Sequence, residues 1–421
     1  MKSARRTLMK KTLIMASTLL ITTGLAAQDA TYTITVNEPE HGTLVFEPAL
    51  PDNEQLPAGT ILQVTATADS GYAVDTVYGA VPGGFGVQYL ESMERKLELT
   101  VDQDITVGAL FLPESEFQGF SVRQDIVYAQ PGIKPLKYDV WTPEDADNLP
   151  IIVIIHGGGW RANTEDIMRG MAREMVRTGR YVVASIDYRW SGNGDGEGES
   201  NSMADIIGDV FGAIAHIQEH ADTYGGDATR IAVTGDSAGG HLSAAAGTMP
   251  QLIGDGGFGV QQGVFEFMPS YLPAGKSVDR VREEITAAVQ AAAPSYGVFS
   301  NEGYDGGVGL QHYSSDADAD ENWSAAIAPI HHIPAIEDRA IPHYLTRGTR
   351  DPLISTVMVT EYAKALADKN QRVRYDEVPN ASHAFFDWKP DQQTRNVFAQ
   401  FGVPYIREMV NFFDAVFYPQ P

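Results

Sequence analysis

The chain has 421 residues, no cysteine and a formal net charge of −25, and 43% of its residues are hydrophobic, which is enough to fill a large buried core. The absence of cysteine excludes disulfides, cysteine-ligated zinc and a thiol nucleophile. With 30 Lys and Arg against 55 Asp and Glu, the chain is poorly suited to bind nucleic acid or anionic membrane surfaces.

Residues 1–27 have the pattern of a secretory signal peptide. Five cations precede a short apolar stretch, and small residues lead to a cleavage point after Ala26 or Ala27. The alternative is a retained membrane anchor, but the apolar stretch is short and rich in Thr and Ser, and no later segment approaches the roughly 18 apolar residues of a membrane span. We therefore expect a secreted or periplasmic protein with no membrane span after signal removal.

Residues 28–114 predict a small all-β module of five or six strands. Short β-branched runs alternate with Gly, Pro, Asn and Asp turns. The order of "TYTITVNEPEHGTLVFEP", "AGTILQVTATADSGYAVDTV" and "LELTVDQDITVGALF" resembles a divergent internalin-type B-repeat, a module found beside secreted bacterial enzymes. No cluster of His, Asp and Glu in it suggests catalysis, so we expect a spacer or adhesion role.

After a predicted linker at 113–119, strands alternate with helical stretches to the end of the chain. "SVRQDIVYA" and "KYDVWTP" predict an antiparallel hairpin, and "IIVIIHGGG", "YVVASIDYRW", "RIAVTGDS", "IPHYLTRGTRD" and "RVRYDEVP" predict further strands. This alternation over 119–421 predicts an α/β fold with a doubly wound, mostly parallel sheet, which binds ligands at the carboxyl ends of its strands.

Two Gly-rich and aromatic-rich regions interrupt the alternation. They cover about 247–286 and 298–326, and loops of this length are often functional. We expect them to be cap-like insertions over a pocket.

The segment "RIAVTGDSAGGHLSAAAG" predicts a nucleophile at Ser237. The pattern G-x-S-x-G lies between an apolar strand and an Ala-rich helix, where small residues relieve the crowding of a tight turn and leave the hydroxyl exposed. The pattern alone is weak, and its context carries the inference.

A serine nucleophile needs a base, and the base needs an orienting acid. Asp351 and His383 follow two later predicted strands, which gives the chain order Ser, Asp, His. We assign Ser237 as nucleophile, His383 as general base and then acid, and Asp351 as the group that fixes the His tautomer. The alternatives are a helix N-cap for Asp351 and a surface loop histidine for His383.

Bare backbone in "HGGGW" suits an oxyanion hole, because N–H groups stabilise the charge that develops on a substrate carbonyl oxygen. The expected donors are Gly158, Gly159 and Ala238, and the alternative is a glycine turn without a role. Trp160 is a candidate substrate-binding residue, with core packing equally open.

Residues 119–421 resemble the α/β-hydrolases of the hormone-sensitive-lipase-like and bacterial feruloyl-esterase-like (BD-FAE-type) groups. The resemblance is carried by "HGGGW", "SIDYRW", "DATRIAVTGDSAGGHLSAA", "GTRDPLIS" and "ASHAF", in that order. It implies hydrolysis of carboxylic esters through an acyl-serine intermediate, without metal or organic cofactor. Feruloyl or acetyl esters, free or linked to plant polysaccharide, are the expected substrates.

Two other functions remain open at this stage. A prolyl-oligopeptidase-like serine peptidase shares the elbow and the triad order, although "HGGGW" and the short N-terminal region disfavour it. A non-catalytic adhesion protein is the other alternative. A zinc motif at "HIQEH", residues 216–220, and a calcium loop at 316–322 are both weaker readings than a structural helix and a solvated acidic loop.

Overall fold

The computed structural model describes residues 30–83, 86–254, 267–313 and 323–419. The predicted signal peptide and the acidic stretch at 316–322 lie outside the described residues. Within the described part of the chain, no helix has the length and apolar character needed to cross a membrane.

The N-terminal module is a sandwich of two sheets, with the strand orders β3-β1-β8-β5-β6 and β2-β4-β7. Residues of both sheets, among them Ile34, Leu62 and Val107, form a shared apolar core. The described residues of the module form eight strands rather than the five or six predicted, because the strand that starts at Tyr72 continues to Gly83 and is followed by a further strand from Gly86. The strands are β1 (Thr31–Val36), β2 (Gly42–Glu47), β3 (Gln55–Pro57), β4 (Thr60–Ala68), β5 (Tyr72–Gly83), β6 (Gly86–Ser92), β7 (Lys96–Val101) and β8 (Ile105–Pro113).

The second region contains one eight-stranded sheet with the order β16-β15-β14-β13-β11-β12-β10-β9. The predicted antiparallel hairpin is confirmed as β9 and β10. Strand β10 also pairs antiparallel with β12, and the neighbouring strands β12, β11, β13, β14, β15 and β16 are parallel to one another. Its strands are β9 (Phe120–Ala129), β10 (Leu136–Pro143), β11 (Leu149–Ile155), β12 (Val182–Ile186), β13 (Gly226–Asp236), β14 (Val289–Ser295), β15 (His343–Gly348) and β16 (Val373–Val378).

Helices follow the parallel strands and pack against the sheet. Ser202 caps helix α2: its hydroxyl accepts a hydrogen bond from the backbone N–H of Asp205, and the Asp205 carboxylate accepts one from the Ser202 N–H. The helices are α1 (Arg169–Val176), α2 (Met203–His220), α3 (Ala238–Thr248), α4 (Val278–Ala288), α5 (Trp323–Ala326), α6 (Thr356–Asp368), α7 (Gln392–Val397) and α8 (Val403–Phe417).

Strand β14 was not predicted, because its sequence "VQAAAPS" has a single β-branched residue, Val289, and consists mainly of small residues that do not favour strands. The strand is buried against the small residues of α3. A Cβ atom on Gly240 would lie 2.5 Å from the carbonyl oxygen of Ser295, and one on Gly247 would lie 3.0 Å from the Cβ of Ala292. Small side chains on both partners therefore let this helix approach the sheet closely, and tertiary packing overrides propensity.

The described parts of the two expected insertions pack against the second region. Ser270 donates its backbone N–H to the carbonyl oxygen of Gly208 in α2, and Val308 donates to that of Leu353. Their role as a cap stays a prediction for residues 255–266 and 314–322, which lie outside the described residues.

The predicted linker is a short ordered connection. Glu114–Phe117 form one turn of 3₁₀ helix, and the Glu116 carboxylate lies 2.7 Å from the Arg177 guanidinium of the following region. The module is therefore held against its neighbour from the first residues after β8.

Candidate active site

Ser237 lies on a sharp turn between β13 and α3. Its backbone has φ 54° and ψ −115°, a conformation that is costly for a residue with a side chain and that clusters at functional sites. A Cβ atom on Gly235 or Gly239 would collide with the carbonyl oxygen of Ile155, so both flanking positions require glycine. The turn thus has the features of a nucleophile elbow.

The structure brings Ser237, His383 and Asp351 together at the carboxyl ends of β13, β16 and β15. The Ser237 Oγ lies 2.9 Å from His383 Nε2, and His383 Nδ1 lies 2.7 Å from Asp351 Oδ2. Ser355, not Asp351, caps helix α6, since its hydroxyl accepts the N–H of Met358. The helix-cap alternative for Asp351 is therefore wrong.

Asp351 and His383 are each held in place by further contacts. The Asp351 Oδ1 accepts hydrogen bonds from the backbone N–H groups of Leu353 and Ile354, both at 2.9 Å. The ring of Tyr296 packs against His383 with centroids 4.9 Å apart. These contacts fix the carboxylate and the imidazole in one arrangement.

The glycine loop after β11 and Ser237 line one cleft. Gly158 has φ 122° and Gly159 has φ 60°, and a Cβ atom on Gly158 would collide with the carbonyl oxygen of Ala162. Ala238 is the first residue of α3, and the first four N–H groups of a helix have no partner within it. The positions are compatible with the predicted oxyanion hole, whose donors stay a prediction.

A carboxylate adjacent to the nucleophile supports this loop. Asp236 Oδ1 accepts the backbone N–H of Gly157 at 2.7 Å, and the carbonyl oxygen of Gly157 accepts a hydrogen bond from Asn163 Nδ2 at 3.2 Å. Burial, together with the nearby charge of Asp387, raises the pKa of Asp236 to about 7. Asp236, Asn163 and Tyr296 were not predicted as site residues. Of these three, Asp236 alone had a signal in the sequence, because it lies inside the G-x-S-x-G motif.

The substrate-binding assignment of Trp160 is corrected by its environment. Its side chain is buried, with 1% exposed, and its indole N–H donates to His241 Nδ1 at 3.2 Å. The residue has φ 59° and does not line the described cleft. Trp160 packs in the core, beneath the glycine loop rather than on its surface.

The two histidines of "HIQEH" belong to α2. His216 Nδ1 lies 3.0 Å from the Tyr138 hydroxyl, and its ring stacks on His220 with centroids 4.2 Å apart. Desolvation by burial lowers the pKa of His216 to about 4. Across the described ranges, no group of three or more His, Asp and Glu residues has an arrangement that could hold a metal ion.

A cleft of about 240 Å³ opens above Ser237 and His383, and we call it the ester cleft. The glycine loop, Leu353 and the pair Asp387 and Lys389, whose charged groups lie 3.2 Å apart, form part of its lining. The remaining wall comes from the N-terminal module, through the ends of β5 and β6, at Gly83, Gly86, Val87 and Gln88.

Sequence comparison places this region among known hydrolases. Residues 138–263 match the BD-FAE family model. The chain is 29% identical to esterase LipQ of Mycobacterium tuberculosis over 62% of its own length and 56% of that protein, and 38% identical to carboxylesterase NlhH of the same species over 28% and 34%. The chain thus spans at most about half the length of these relatives. The predicted resemblance to the feruloyl-esterase-like and hormone-sensitive-lipase-like groups is confirmed for this region.

Solved structures show the same fold. The native esterase 2 of Thermogutta terrifontis is 22% identical with a TM-score of 0.51, covering 71% of this chain and 93% of that one. A truncated carbohydrate esterase from gut microbiota is 21% identical with a TM-score of 0.52, covering 70% and 96%. The second region of the protein is an α/β-hydrolase fold, as predicted, preceded by a β-rich module.

Proposed function

We propose that the protein is a secreted serine carboxylesterase that hydrolyses carboxylic esters through an acyl-serine intermediate. The observation that carries the proposal is the chain of contacts from Ser237 to His383 to Asp351 at the floor of the ester cleft. The esterases among the similar proteins support the same reaction.

In the first half of the reaction, Ser237 Oγ attacks the ester carbonyl carbon while His383 Nε2 accepts the hydroxyl proton. Asp351 accepts the hydrogen bond from His383 Nδ1–H and stabilises the imidazolium. The tetrahedral intermediate then collapses, the bond to the alcohol oxygen breaks, and the alcohol leaves with the proton that His383 returns.

In the second half, water replaces the alcohol. His383 takes a proton from the water, the hydroxide attacks the acyl carbon, and collapse releases the carboxylic acid and restores the Ser237 hydroxyl. In both halves, the N–H groups of Gly158, Gly159 and Ala238 stabilise the oxyanion, and each such donor is typically worth about 3 kcal/mol.

The size of the cleft favours short acyl groups. Its volume of about 240 Å³ lies below the roughly 300–1,000 Å³ of pockets that hold drug-sized ligands. We therefore favour acetyl esters over feruloyl esters, and esters of plant polysaccharide over free lipids. The solved carbohydrate esterase with the same fold supports this choice.

Secretion is supported by the cationic, apolar and small-residue pattern of residues 1–27. Expression of the full chain in a bacterial host, followed by mass measurement of the exported protein, should show a new N-terminus after Ala26 or Ala27. Retention of the full-length chain in the membrane fraction would contradict secretion.

The reaction is tested with p-nitrophenyl esters from acetate to decanoate, methyl ferulate and a prolyl anilide. We expect the acetate to be turned over fastest, the anilide to be untouched, and chelators to have no effect. Ser237→Ala should lower kcat by about 10⁶-fold, because loss of the nucleophile alone removes the triad's contribution. Ester hydrolysis that survives Ser237→Ala, or cleavage of the anilide alone, would contradict the proposal.

A further inference from the structure

The N-terminal module reaches the reaction centre. Strands β5 and β6 pair in antiparallel register up to Gly83 and Gly86, and these residues, with Val87 and Gln88, line the same cleft as Ser237. A spacer role alone does not explain why the module lines this cleft.

Buried ionic contacts hold this hairpin in place. Asp75 on β5 is 1% exposed and accepts hydrogen bonds from Arg169 Nε at 3.0 Å, Arg173 Nη1 at 2.6 Å and Trp388 Nε1 at 2.9 Å. On β6, a Glu91 oxygen lies 2.7 Å from Arg169 Nη2. Because Trp388 follows His383 on one loop, the same contacts join the module to the loop that carries the general base.

A second cavity shares part of its lining with the ester cleft. It has a volume of about 530 Å³ and lies around Tyr78 and Tyr89 of the module, with Asp391 of the second region also in its lining. We call it the module groove. Gly86 and Val87 line both cavities. A substrate bonded to Ser237 at its acyl end could therefore extend along β6 into the module groove at its alcohol end.

The lining of the module groove combines apolar side chains with two tyrosines, polar Thr and Asn side chains and two carboxylates. The ring of Tyr89 is held edge-on by Tyr78, with centroids 5.6 Å apart, and the Tyr78 hydroxyl accepts a hydrogen bond from Asn37 Nδ2 at 2.7 Å. Its two charged side chains are Asp104 and Asp391, and no Lys or Arg lines its described part. A flat ring beside hydroxyl-binding groups suits a sugar, and the two carboxylates in the lining disfavour an anionic one.

We propose that the module groove is the alcohol-side subsite of the ester cleft and binds the neutral carbohydrate chain that carries the ester. This inference rests on the proposed function for its ester end, and on the module groove alone for its carbohydrate end. It replaces the spacer or adhesion role expected for residues 28–114.

The kinetic test compares an acetylated xylo-oligosaccharide with p-nitrophenyl acetate. Tyr89→Ala should lower the kcat/KM for the oligosaccharide, divided by that for p-nitrophenyl acetate, about ten-fold, because it removes the ring on which the sugar lies. The change should come from a higher KM for the oligosaccharide. Tyr89→Phe, which keeps the ring, should retain most of the ratio. Tyr72→Ala is the matched control, since that ring stacks on His41 at the far end of β5. A ratio for Tyr89→Ala equal to that of wild type would overturn the subsite.

A binding test separates this inference from the ester chemistry. In the full-chain Ser237→Ala variant, calorimetry should detect xylotetraose and not trigalacturonate, and adding Tyr89→Ala should abolish the signal. Xylotetraose binding that depends on Tyr89 would support the module groove even if no ester were hydrolysed. Ser237-dependent hydrolysis without xylotetraose binding, or with binding of trigalacturonate instead, would overturn the subsite and leave the proposed esterase intact.

Discussion

Asp75, at the junction of the module with the hydrolase fold, and Asp236, beside the nucleophile, are both 1% exposed and yet have opposite pKa displacements. Burial alone raises the pKa of either carboxyl group. Around Asp75, Arg169 and Arg173 outweigh burial and lower the pKa to about 2, whereas Asp236 has no arginine partner and its pKa rises to about 7.

The difference separates a structural charge from a titrating one. Asp75 stays ionised near neutral pH and holds two guanidinium groups of α1 where the module meets the second region. Asp236 changes its charge close to neutral pH while its Oδ1 holds the glycine loop through Gly157. Two buried aspartates therefore have different roles: Asp75 holds the module against the second region, and Asp236 makes the support of the glycine loop depend on pH.

Asp351 is a third buried aspartate, and of the three its substitution should have the largest effect, a loss of catalytic activity. Asp351→Asn should lower kcat on p-nitrophenyl acetate by about 10⁴-fold, because an amide facing His383 Nδ1 favours the wrong tautomer. Thermal stability should change little, since the Asn Oδ1 can still accept the N–H groups of Leu353 and Ile354. A loss of activity below ten-fold would show that Asp351 does not orient His383.

Removing the structural charge should give the next largest effect. Asp75→Ala should lower the free energy of unfolding by about 3–5 kcal/mol, because Arg173 loses its carboxylate partner and Arg169 loses one of its two carboxylate ion pairs in a buried site. Urea denaturation measures this change.

The control is Glu116→Ala, which removes a partner of Arg177 at a similar distance of 2.7 Å but with side chains 36% and 39% exposed. Its cost should stay within about 1 kcal/mol. Equal effects of the two variants would contradict the account of the junction.

The raised pKa of Asp236 should make the free energy of unfolding depend on pH. A carboxyl group whose pKa is raised by folding stabilises the protein fully below its unfolded value, 3.8, and this stabilisation is lost as the pH rises through about 7. The free energy of unfolding of wild type, relative to Asp236→Asn, should therefore fall by roughly 2 kcal/mol between pH 5 and pH 8. Urea denaturation at both pH values tests this, and a difference that is constant with pH would contradict it.

The sequence was sufficient for the features that depend on local chemistry. Gly235 and Gly239 mark the elbow because no other residue fits against Ile155, and the strand ends before Asp351 and His383 follow from the alternating pattern. The α/β-hydrolase fold and the β-rich module were predicted for the same reason.

Features that depend on contacts between distant segments were missed. Strand β14 was not predicted, because its alanines are favoured there only by the small residues of α3. The contact between the module and the second region was not predicted, because Asp75 is an ordinary strand residue in sequence. One signal was present, since Arg169 and Arg173 lie one turn apart on a helix that is otherwise largely buried, and such a pair needs buried carboxylates.

The most direct test of the central claim is the mass of the enzyme quenched during turnover of p-nitrophenyl acetate. Acid quenching within the first turnovers, followed by proteolysis and mass spectrometry, should find one acetyl group on the peptide that contains Ser237, and none in Ser237→Ala. Hydrolysis that proceeds without an acetylated peptide, or with the acetyl group on another residue, would contradict the acyl-serine mechanism.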